Sequence, residues 1–476
     1  MLSSLARLLK RENFIFFNII FLICLAFNIN NKTLIFVSFV YLIISSLIQK
    51  SFTKGLIFSY LLFSLFLVGK TYEIQIIPKS KLAYAPILGY NGYYQGIIIG
   101  ASFFIGILMF MPLLSQLVKK SFSFQKDILF LSLFIIFSLV SSILSLNTYL
   151  SLFAWFNTLF LLPFYYLLKK YLLADKKFIF DLLRFLGVLA SYEVLLAAIQ
   201  YVKKGSALPS LEIVSQIPFQ GLELDPNWFR PPGSLSHPND LANFLLPLTV
   251  LFFLIGYLRK KIPKNFAIFG FTLGIFGLIL TLSRSSWLIL FFILIISVFV
   301  FEKKYHLQFN SKYKKMIVFI VLILIPIFFL FAFPRIGKSL DTFSEGGSGL
   351  SRIELIQESV NLSFRYPLFG VGYRMSVLGM FLENPKGEMY YFPTPVHNIY
   401  LQMTNELGIL PTVSFFSFLG YLIFKGRKNG RDLNRKIIKD IALFSFLSIL
   451  LNGIFQPIYA TTLLYLVIFA LIHYVF

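Results

Sequence analysis

A histidine and an asparagine, His397 and Asn398, stand where a long polar segment gives way to an apolar run of membrane-spanning length. A histidine exchanges a proton near neutral pH, so it can act as a general base on a hydroxyl group. Two arginines, Arg230 and Arg284, also lie at the ends of apolar runs, on the same predicted side of the membrane. One titratable group and two permanent cations on one face predict chemistry on an anionic, membrane-held substrate.

Arg284 lies in Ser283-Arg284-Ser285, which joins two apolar runs with almost no polar spacer. A cation costs about 2.5–3.5 kcal/mol at the bilayer centre and less near the interface, so its presence needs a reason. The planar guanidinium binds phosphate oxygens in pairs and stays charged. The alternative is a topology anchor, although Arg284 lies on the wrong face for one.

Arg230 is followed by Pro231-Pro232-Gly233 and then by His237-Pro238-Asn239. The prolines and the glycine restrict the loop backbone, which suits a positioned side chain. The alternative is an interfacial arginine that reaches lipid headgroups. His237 is the rival of His397 as the functional histidine, and either histidine can instead be purely structural.

Further polar residues lie on the same predicted side. Arg365 and Arg374 can add to an anion site or contact lipid headgroups. Glu193 and Glu406 are carboxylates near membrane depth, where such groups usually have a function, although Glu406 can also serve to pair with an arginine. The predicted substrate-binding residues are Asn398, His237, Asn239, Ser283, Arg365, Arg374 and Glu406.

The elements that must position these residues are membrane helices. The 476-residue chain is 58% hydrophobic and 13% charged, which is typical of a polytopic membrane protein. Its net charge of +23 can suggest nucleic acid. However, most lysines and arginines lie in short loops that alternate with poorer ones, the positive-inside pattern. We therefore predict an all-α membrane bundle of about 12–14 spans without a nucleic-acid partner.

The same pattern places both termini in the cytoplasm and three longer loops outside it. We divide the chain into N-terminal helices (1–205), a catalytic region (206–424) with an extracytoplasmic loop (334–397), and C-terminal helices (425–476). Within that loop, Ser351 and Glu354 form a capping-box pattern that predicts a helix. Four apolar residues of this helix share one face: Ile353, Ile356, Val360 and Phe364.

Several familiar motifs are missing from the sequence: the phosphate-binding loop of nucleotidases, the dinucleotide fingerprint, the zinc-protease pattern and cysteine clusters. No Asp-x-Asp pair that could hold a divalent metal stands in an outer loop. The sequence therefore predicts a metal-independent reaction without a cofactor.

The order of the motifs resembles the O-antigen ligase and polymerase superfamily of bacterial membrane glycosyltransferases. Arg-Pro-x-Gly and His-Pro-Asn precede one helix, Leu-Ser-Arg-Ser-x-Trp joins two others, and Pro-Leu-Phe-Gly-Val-Gly precedes His-Asn-x-Tyr-Leu. The resemblance implies transfer of a glycan from undecaprenyl diphosphate, at the outer face of the cytoplasmic membrane, to lipid A-core or a similar acceptor. It implies that Arg230 and Arg284 bind the diphosphate and that His397 activates the acceptor, with inversion at the anomeric carbon.

Several alternatives remain open at this stage. A polymerase has the same site but uses a second lipid-linked repeat as its acceptor, and a protein-glycosylating member uses a serine or threonine hydroxyl. A lipid-linked glycan flippase is the rival from another class, and it predicts charges spread through the helix interiors. A membrane sensor or scaffold would need a soluble output domain, and none is visible in the sequence.

Overall fold

The computed structural model describes thirteen helical and loop segments of the chain, namely 13–26, 31–65, 72–73, 98–119, 125–175, 177–205, 229–235, 237–258, 264–305, 348–385 with 387, 395–426, 433–457 and 460–475. These parts are helical apart from turns and a two-residue antiparallel ladder, in which Tyr72 pairs with Ile99 and Glu73 with Ile98. Within them, the structure confirms the predicted all-α class.

The helices follow the apolar runs, because in lipid a backbone must satisfy its own hydrogen bonds within the segment. In chain order they are α1 (Phe14–Ala26), α2 (Asn31–Ile48), α3 (Phe52–Leu65), α4 (Ala101–Val118), α5 (Lys126–Ile143), α6 (Thr148–Leu159), α7 (Leu161–Ala174), α8 (Phe178–Lys203), α9 (Pro238–Leu258), α10 (Lys264–Thr281), α11 (Arg284–Tyr305), α12 (Ser348–Arg365), α13 (Ser376–Glu383), α14 (Ile399–Leu407), α15 (Ile409–Gly426), α16 (Leu433–Asn452) and α17 (Ala460–Val475).

Among the described residues, seven helical segments are long and apolar enough to cross a membrane, with α6 and α7 counted together. Shorter apolar helices accompany them, including parts of α1, α2, α3, α10 and α17. The protein is thus a polytopic membrane helix bundle. The apolar run at residues 315–333, which predicts a further membrane span, lies outside the described residues.

The centre of the bundle is α9, whose membrane window is 94% buried. It packs against α10 on one side and α16 on another, with α8 and α11 completing its surroundings. Helices α8, α9, α10 and α11 each end or begin at a polar segment that holds Arg230 or Arg284. The end of α16 reaches the segment after His397, because the Gly453 carbonyl accepts the Ile399 N–H. The bundle therefore brings together segments that are far apart in the sequence.

The apolar run that begins at Asn398 predicts a single membrane helix. This prediction is wrong, because α14 ends at Leu407 and α15 begins at Ile409. Gly408 separates them with φ +81°, and a Cβ atom there would lie 2.2 Å from the Leu368 carbonyl oxygen. The Ile409 N–H donates to the Pro367 carbonyl at 2.8 Å. A crossing turn thus forces the break, and only glycine tolerates that conformation and approach.

The predicted helix in the long loop is confirmed as α12, and α13 follows it. The two helices enclose a small apolar cluster separate from the main core, formed by Leu355, Leu362, Val371, Met375, Val377, Leu378, Met380 and Phe381. Polar contacts also fix α12 on α14: Ser363 Oγ donates to Asn405 Oδ1 at 2.5 Å, and the Asn405 amide donates to Ser359. The described residues 348–385 are therefore a packed unit seated on α14.

Candidate active site

Arg230 is held across the junction between α10 and α11. Its Nε donates to the Thr281 carbonyl at 2.8 Å, and one terminal nitrogen donates to Asn239 Oδ1 at 2.7 Å. Both acceptors are neutral groups, and together they orient the guanidinium. Asn239, which we predicted to bind substrate, lies buried beside Arg230 and positions it.

The loop that carries Arg230 is fixed from below by α8. Gln200 exchanges two hydrogen bonds with the Gly233 backbone, at 2.7 and 2.9 Å. Glu193 accepts the Ser234 N–H at 2.8 Å and also the Ser234 hydroxyl. Gly233 has φ +66°, and a Cβ atom there would come within 2.2 Å of Glu193 Oε2. The buried carboxylate of Glu193 therefore holds this loop in place.

Arg284 is the first residue of α11, and its side chain is exposed. Because a helix N-terminus carries a partial positive charge, a cation there is unfavourable by itself and both together attract an anion. The adjoining hydroxyls are tied inward: Ser283 Oγ lies 3.1 Å from Ser286 Oγ. The junction thus presents positive charge outward on a rigid base.

The C-terminal end of α16 contributes side chains that the sequence analysis missed. Asn452 contacts Ser286 with its amide nitrogen at 3.2 Å, and Gln456 Nε2 donates to Ser285 Oγ at 3.0 Å. The side-chain oxygen of Gln456, Oε1, is buried and has no hydrogen-bond partner among the described residues. Only the fold brings these residues beside Arg284, so no local sequence signal could have identified them.

His237 sits next to Arg230, with Nδ1 accepting the Asn239 N–H at 3.0 Å. This contact places the proton of the neutral ring on Nε2. Burial, the positive charge of Arg230, and the nearby His397 and Arg352 lower the pKa of His237 to about 3. His237 is therefore neutral at physiological pH, with its Nδ1 occupied by the Asn239 N–H and its proton on Nε2.

His397 precedes α14, and the fold presents it differently from His237. Its Nδ1 is buried without a hydrogen-bond partner among the described residues. Burial and the positive charge of Arg352 lower the pKa of His397 to about 4, while the Pro395 backbone acts in the opposite direction. The ring is thus neutral, and one of its nitrogens carries the lone pair that a general base requires.

Asn398, the neighbour of His397, caps α14. Its Oδ1 accepts the N–H groups of Tyr400 and Leu401 at 3.0 and 3.1 Å. The next N–H, of Ile399, donates to the Gly453 carbonyl at 2.8 Å. These contacts fix the residue that follows His397 to both α14 and the end of α16, so Asn398 has a positioning part in the site.

Arg352 also belongs to the candidate site, although it was not predicted from the sequence. It lies in the first turns of α12, and its charge lowers the pKa of both His237 and His397, which places it close to both rings. The predicted capping box at Ser351 and Glu354 identified this helix. The sequence signal that could have identified Arg352 was the presence of an arginine between these two capping residues.

The other predicted residues lie around this cluster. Arg365 forms an ion pair with Glu383, and it is about 20 Å from Arg352 along α12. Arg374 has φ +61°, and its backbone N–H donates to Glu406 at 2.9 Å. Glu406 is buried and also accepts from Ser376 and Gln402, at 2.8 and 3.0 Å. The structure thus brings together Arg230, His237, Arg352 and His397, whereas Arg365 is paired elsewhere.

A comparison with known families gives this cluster a context. Residues 269–416 match the family model described as O-antigen ligase. The matched range runs from α10 to α15. The predicted resemblance to the O-antigen ligase superfamily is therefore confirmed, and the matched range includes Arg284, Arg352 and His397.

A curated relative adds to the comparison. The chain is 26% identical over 245 residues to the ComP-specific O-oligosaccharyltransferase of Acinetobacter baylyi (strain ATCC 33305 / BD413 / ADP1). The similar region covers 46% of this chain and 43% of the relative, so the chain spans less than half the length of that protein. Arg230 and His237 lie before the O-antigen ligase domain proper, yet the fold joins them to it.

Proposed function

We propose that this protein is a membrane glycosyltransferase that moves a glycan from undecaprenyl diphosphate to an acceptor hydroxyl. The reaction takes place at the outer face of the cytoplasmic membrane and needs no metal ion. The observation that carries the proposal is the open Nδ1 of the neutral His397 beside the positive charge of Arg352. The O-antigen ligase domain around these residues supports the same class of reaction.

The chemistry is a single displacement. His397 accepts the proton of the acceptor hydroxyl, the acceptor oxygen forms a bond to the anomeric carbon, and the bond from that carbon to the diphosphate oxygen breaks. The electron pair remains on the leaving undecaprenyl diphosphate. Attack opposite the leaving group inverts the anomeric configuration.

Arg230, Arg284 and Arg352 stabilise the negative charge that grows on the diphosphate oxygen as this bond breaks. Arg230 is suited to this role because its fixed hydrogen bonds go to neutral groups. His237 donates from Nε2 toward the substrate. Glu193, Glu406 and Asn398 act by positioning the three segments that carry the cations and the base.

Two acceptor classes deserve a direct comparison. The match of residues 269–416 with the O-antigen ligase model supports a lipid A-core acceptor. A protein hydroxyl is favoured by the relative, whose name describes an O-oligosaccharyltransferase. A polymerase, with a second lipid-linked repeat as acceptor, uses the same arrangement of base and cations.

The experiment is glycan transfer in proteoliposomes that contain the full chain and a labelled undecaprenyl-diphosphate glycan. Lipid A-core, an acceptor protein and no acceptor are supplied in separate reactions with a chelator present. Modification of an acceptor that is lost in His397→Ala and Arg284→Ala supports the proposal and identifies the acceptor class. Lengthening of the donor glycan without other acceptors indicates a polymerase. Movement of labelled lipid between leaflets without any transfer would show a flippase and refute the enzyme.

A further inference from the structure

Helix α12 has three distinct faces. The face packed against the protein contains Leu355, Ser359 and Leu362, all of which are buried. A second face is polar and exposed, with Glu354, Gln357 and Asn361. The third face is apolar, yet Ile353, Ile356 and Phe364 are 45%, 40% and 81% exposed. A helix that only covered a soluble surface would have no use for this third face.

The rigidity of α12 makes this exposure a fixed property. The apolar cluster around Leu355 and Leu362 and the Asn405 contacts hold the helix on α14. The apolar stripe cannot rotate inward without breaking both. Three faces that meet protein, water and an apolar medium describe a helix that lies in a membrane interface.

The stripe is continuous with the surface of a membrane span. Immediately after α12, the backbone at Pro367 and Leu368 accepts hydrogen bonds from Ile409 and Leu410 at 2.8 and 3.3 Å. Leu368 is exposed, as are Ile409 and Val413 on the first turns of α15. Because α15 is long and apolar enough to cross a membrane, these side chains meet lipid, and the stripe of α12 extends the same surface.

We infer that α12 is an interfacial anchor whose Ile353, Ile356 and Phe364 insert into the acyl chains of the leaflet on the side of the active site. Its partner is the lipid bilayer itself. Continuity with the lipid-facing surface of α15 decides for lipid over a second copy of the chain or an acceptor protein, because neither of these would have to adjoin a membrane span.

The anchor also determines the height of Arg352. This residue lies one turn before Ile356, between the apolar face and the packed face, and close to His237 and His397. With the apolar stripe among the acyl chains, the guanidinium lies at the depth of the lipid headgroups. A lipid-linked diphosphate has its charge at that depth, so the anchor aligns the cation with its substrate. This second step, unlike the insertion, rests on the proposed function.

The insertion is tested without any activity measurement. The chain has one cysteine, Cys24, so Cys24→Ser gives a background for single spin labels. Labels are placed by Phe364→Cys on the stripe, Asn361→Cys on the polar face and Val413→Cys on α15, in the full chain in liposomes. We expect the label at 364 to collide with oxygen, as at 413, and to be protected from a water-soluble nickel chelate. The label at 361 should show the reverse.

Two results would overturn the inference. Equal access of the nickel chelate to the labels at 364 and 361 would show that the stripe faces water. Protection of 364 from both oxygen and the chelate would show that protein covers it, from a second copy or another partner. Thermal melting of each labelled variant checks that the fold is kept.

The alignment of Arg352 is tested with matched charges. Phe364→Glu should raise KM for the lipid-linked donor by about tenfold, because a charged group resists insertion, whereas Asn361→Glu should leave it unchanged. An unchanged KM in Phe364→Glu, together with lipid-exposed labels, would refute the alignment but not the insertion. If wild type transfers no glycan at all, the proposed function fails, while the spin-label result stands by itself.

Discussion

The two ends of this bundle treat positive charge in opposite ways. Helix α11 begins with Arg284 at the proposed active site and carries Lys304 about 30 Å away along the helix. At the far end, Lys304 lies 2.5 Å from Asp440, and Lys169 lies 2.5 Å from Asp127. Tyrosine hydroxyls join both pairs, since Tyr305 and Tyr165 donate to the same carboxylates. That end is built from neutralised pairs.

At the active-site end, the buried carboxylates bind neutral groups. Glu193 accepts from the backbone and hydroxyl of Ser234, and Glu406 accepts from a backbone N–H, a hydroxyl and an amide. Arg230 correspondingly donates to a carbonyl and an amide oxygen. The difference teaches that Glu193 and Glu406 stabilise their loops by accepting from neutral donors, whereas Asp440 and Asp127 pair with lysines.

The largest expected effect comes from His397→Ala. Loss of the general base should lower turnover by about 10²–10⁴-fold, because the acceptor hydroxyl then keeps its proton during attack. Binding of the labelled lipid-linked donor to proteoliposomes should persist, since the arginines are intact. His237→Asn is the matched control, because its amide oxygen can still accept the Asn239 N–H, and it should lose less. Full turnover in His397→Ala would contradict the assignment of the base.

The next effect tests the arginines themselves. Arg352→Gln should lower the transfer rate by about 10²–10³-fold, the cost of removing one donor from a growing negative charge. Arg365→Gln is the control, since Arg365 is exposed and paired with Glu383 at the other end of α12. We expect its rate to stay within a few fold of wild type. Equal losses of rate in both variants would show that only the total positive charge of α12 matters, and this would contradict a specific role for Arg352.

At the opposite end, we expect changes in stability without changes in chemistry. Lys169→Met leaves Asp127 buried without its cation and should cost about 3 kcal/mol of the free energy of unfolding. Lys304→Met is the control, because the Lys304 side chain is 51% exposed and its loss should cost less. Thermal melting in detergent gives the order of the two variants. A changed KM for the donor in either variant would contradict the prediction that these ion pairs affect stability and not catalysis.

The smallest effect is a shift in pH dependence. Because the pKa of His397 is lowered to about 4, the acid limb of kcat/KM should lie near pH 4, well below the ordinary histidine value. Arg352→Gln removes a repelling charge, so it raises the pKa of His397 and moves the limb upward. Rates measured from about pH 4 to about pH 8 follow the limb, and Arg365→Gln should leave it in place. A limb near pH 6.5 in wild type would contradict a buried, uncharged base.

The sequence predicts the parts of this molecule that have local causes. Apolar runs indicate the membrane helices, and the capping pattern around Ser351 and Glu354 indicates α12. Arg284 stands out because a charged group with almost no polar spacer between two apolar runs is rare, and His397 because it is a titratable group directly before an apolar run. Their roles remain proposals, whereas the helices are described directly.

The features that escaped prediction depend on contacts between distant segments. The break at Gly408 follows from a turn at Pro367 and Leu368, so the apolar pattern alone continues through it. Arg352 is an ordinary helix residue until the fold brings it to His397. Asn452 and Gln456 likewise acquire meaning only beside the serines of α11.

The apolar cluster shared by α12 and α13 is separate from the main core of the bundle, so the loop is held by its own interior. Surface residues of this loop can therefore be exchanged without repacking the transmembrane helices. Such a division lets the outward side chains of α12 change in sequence while the membrane scaffold and the interior of the cluster stay the same.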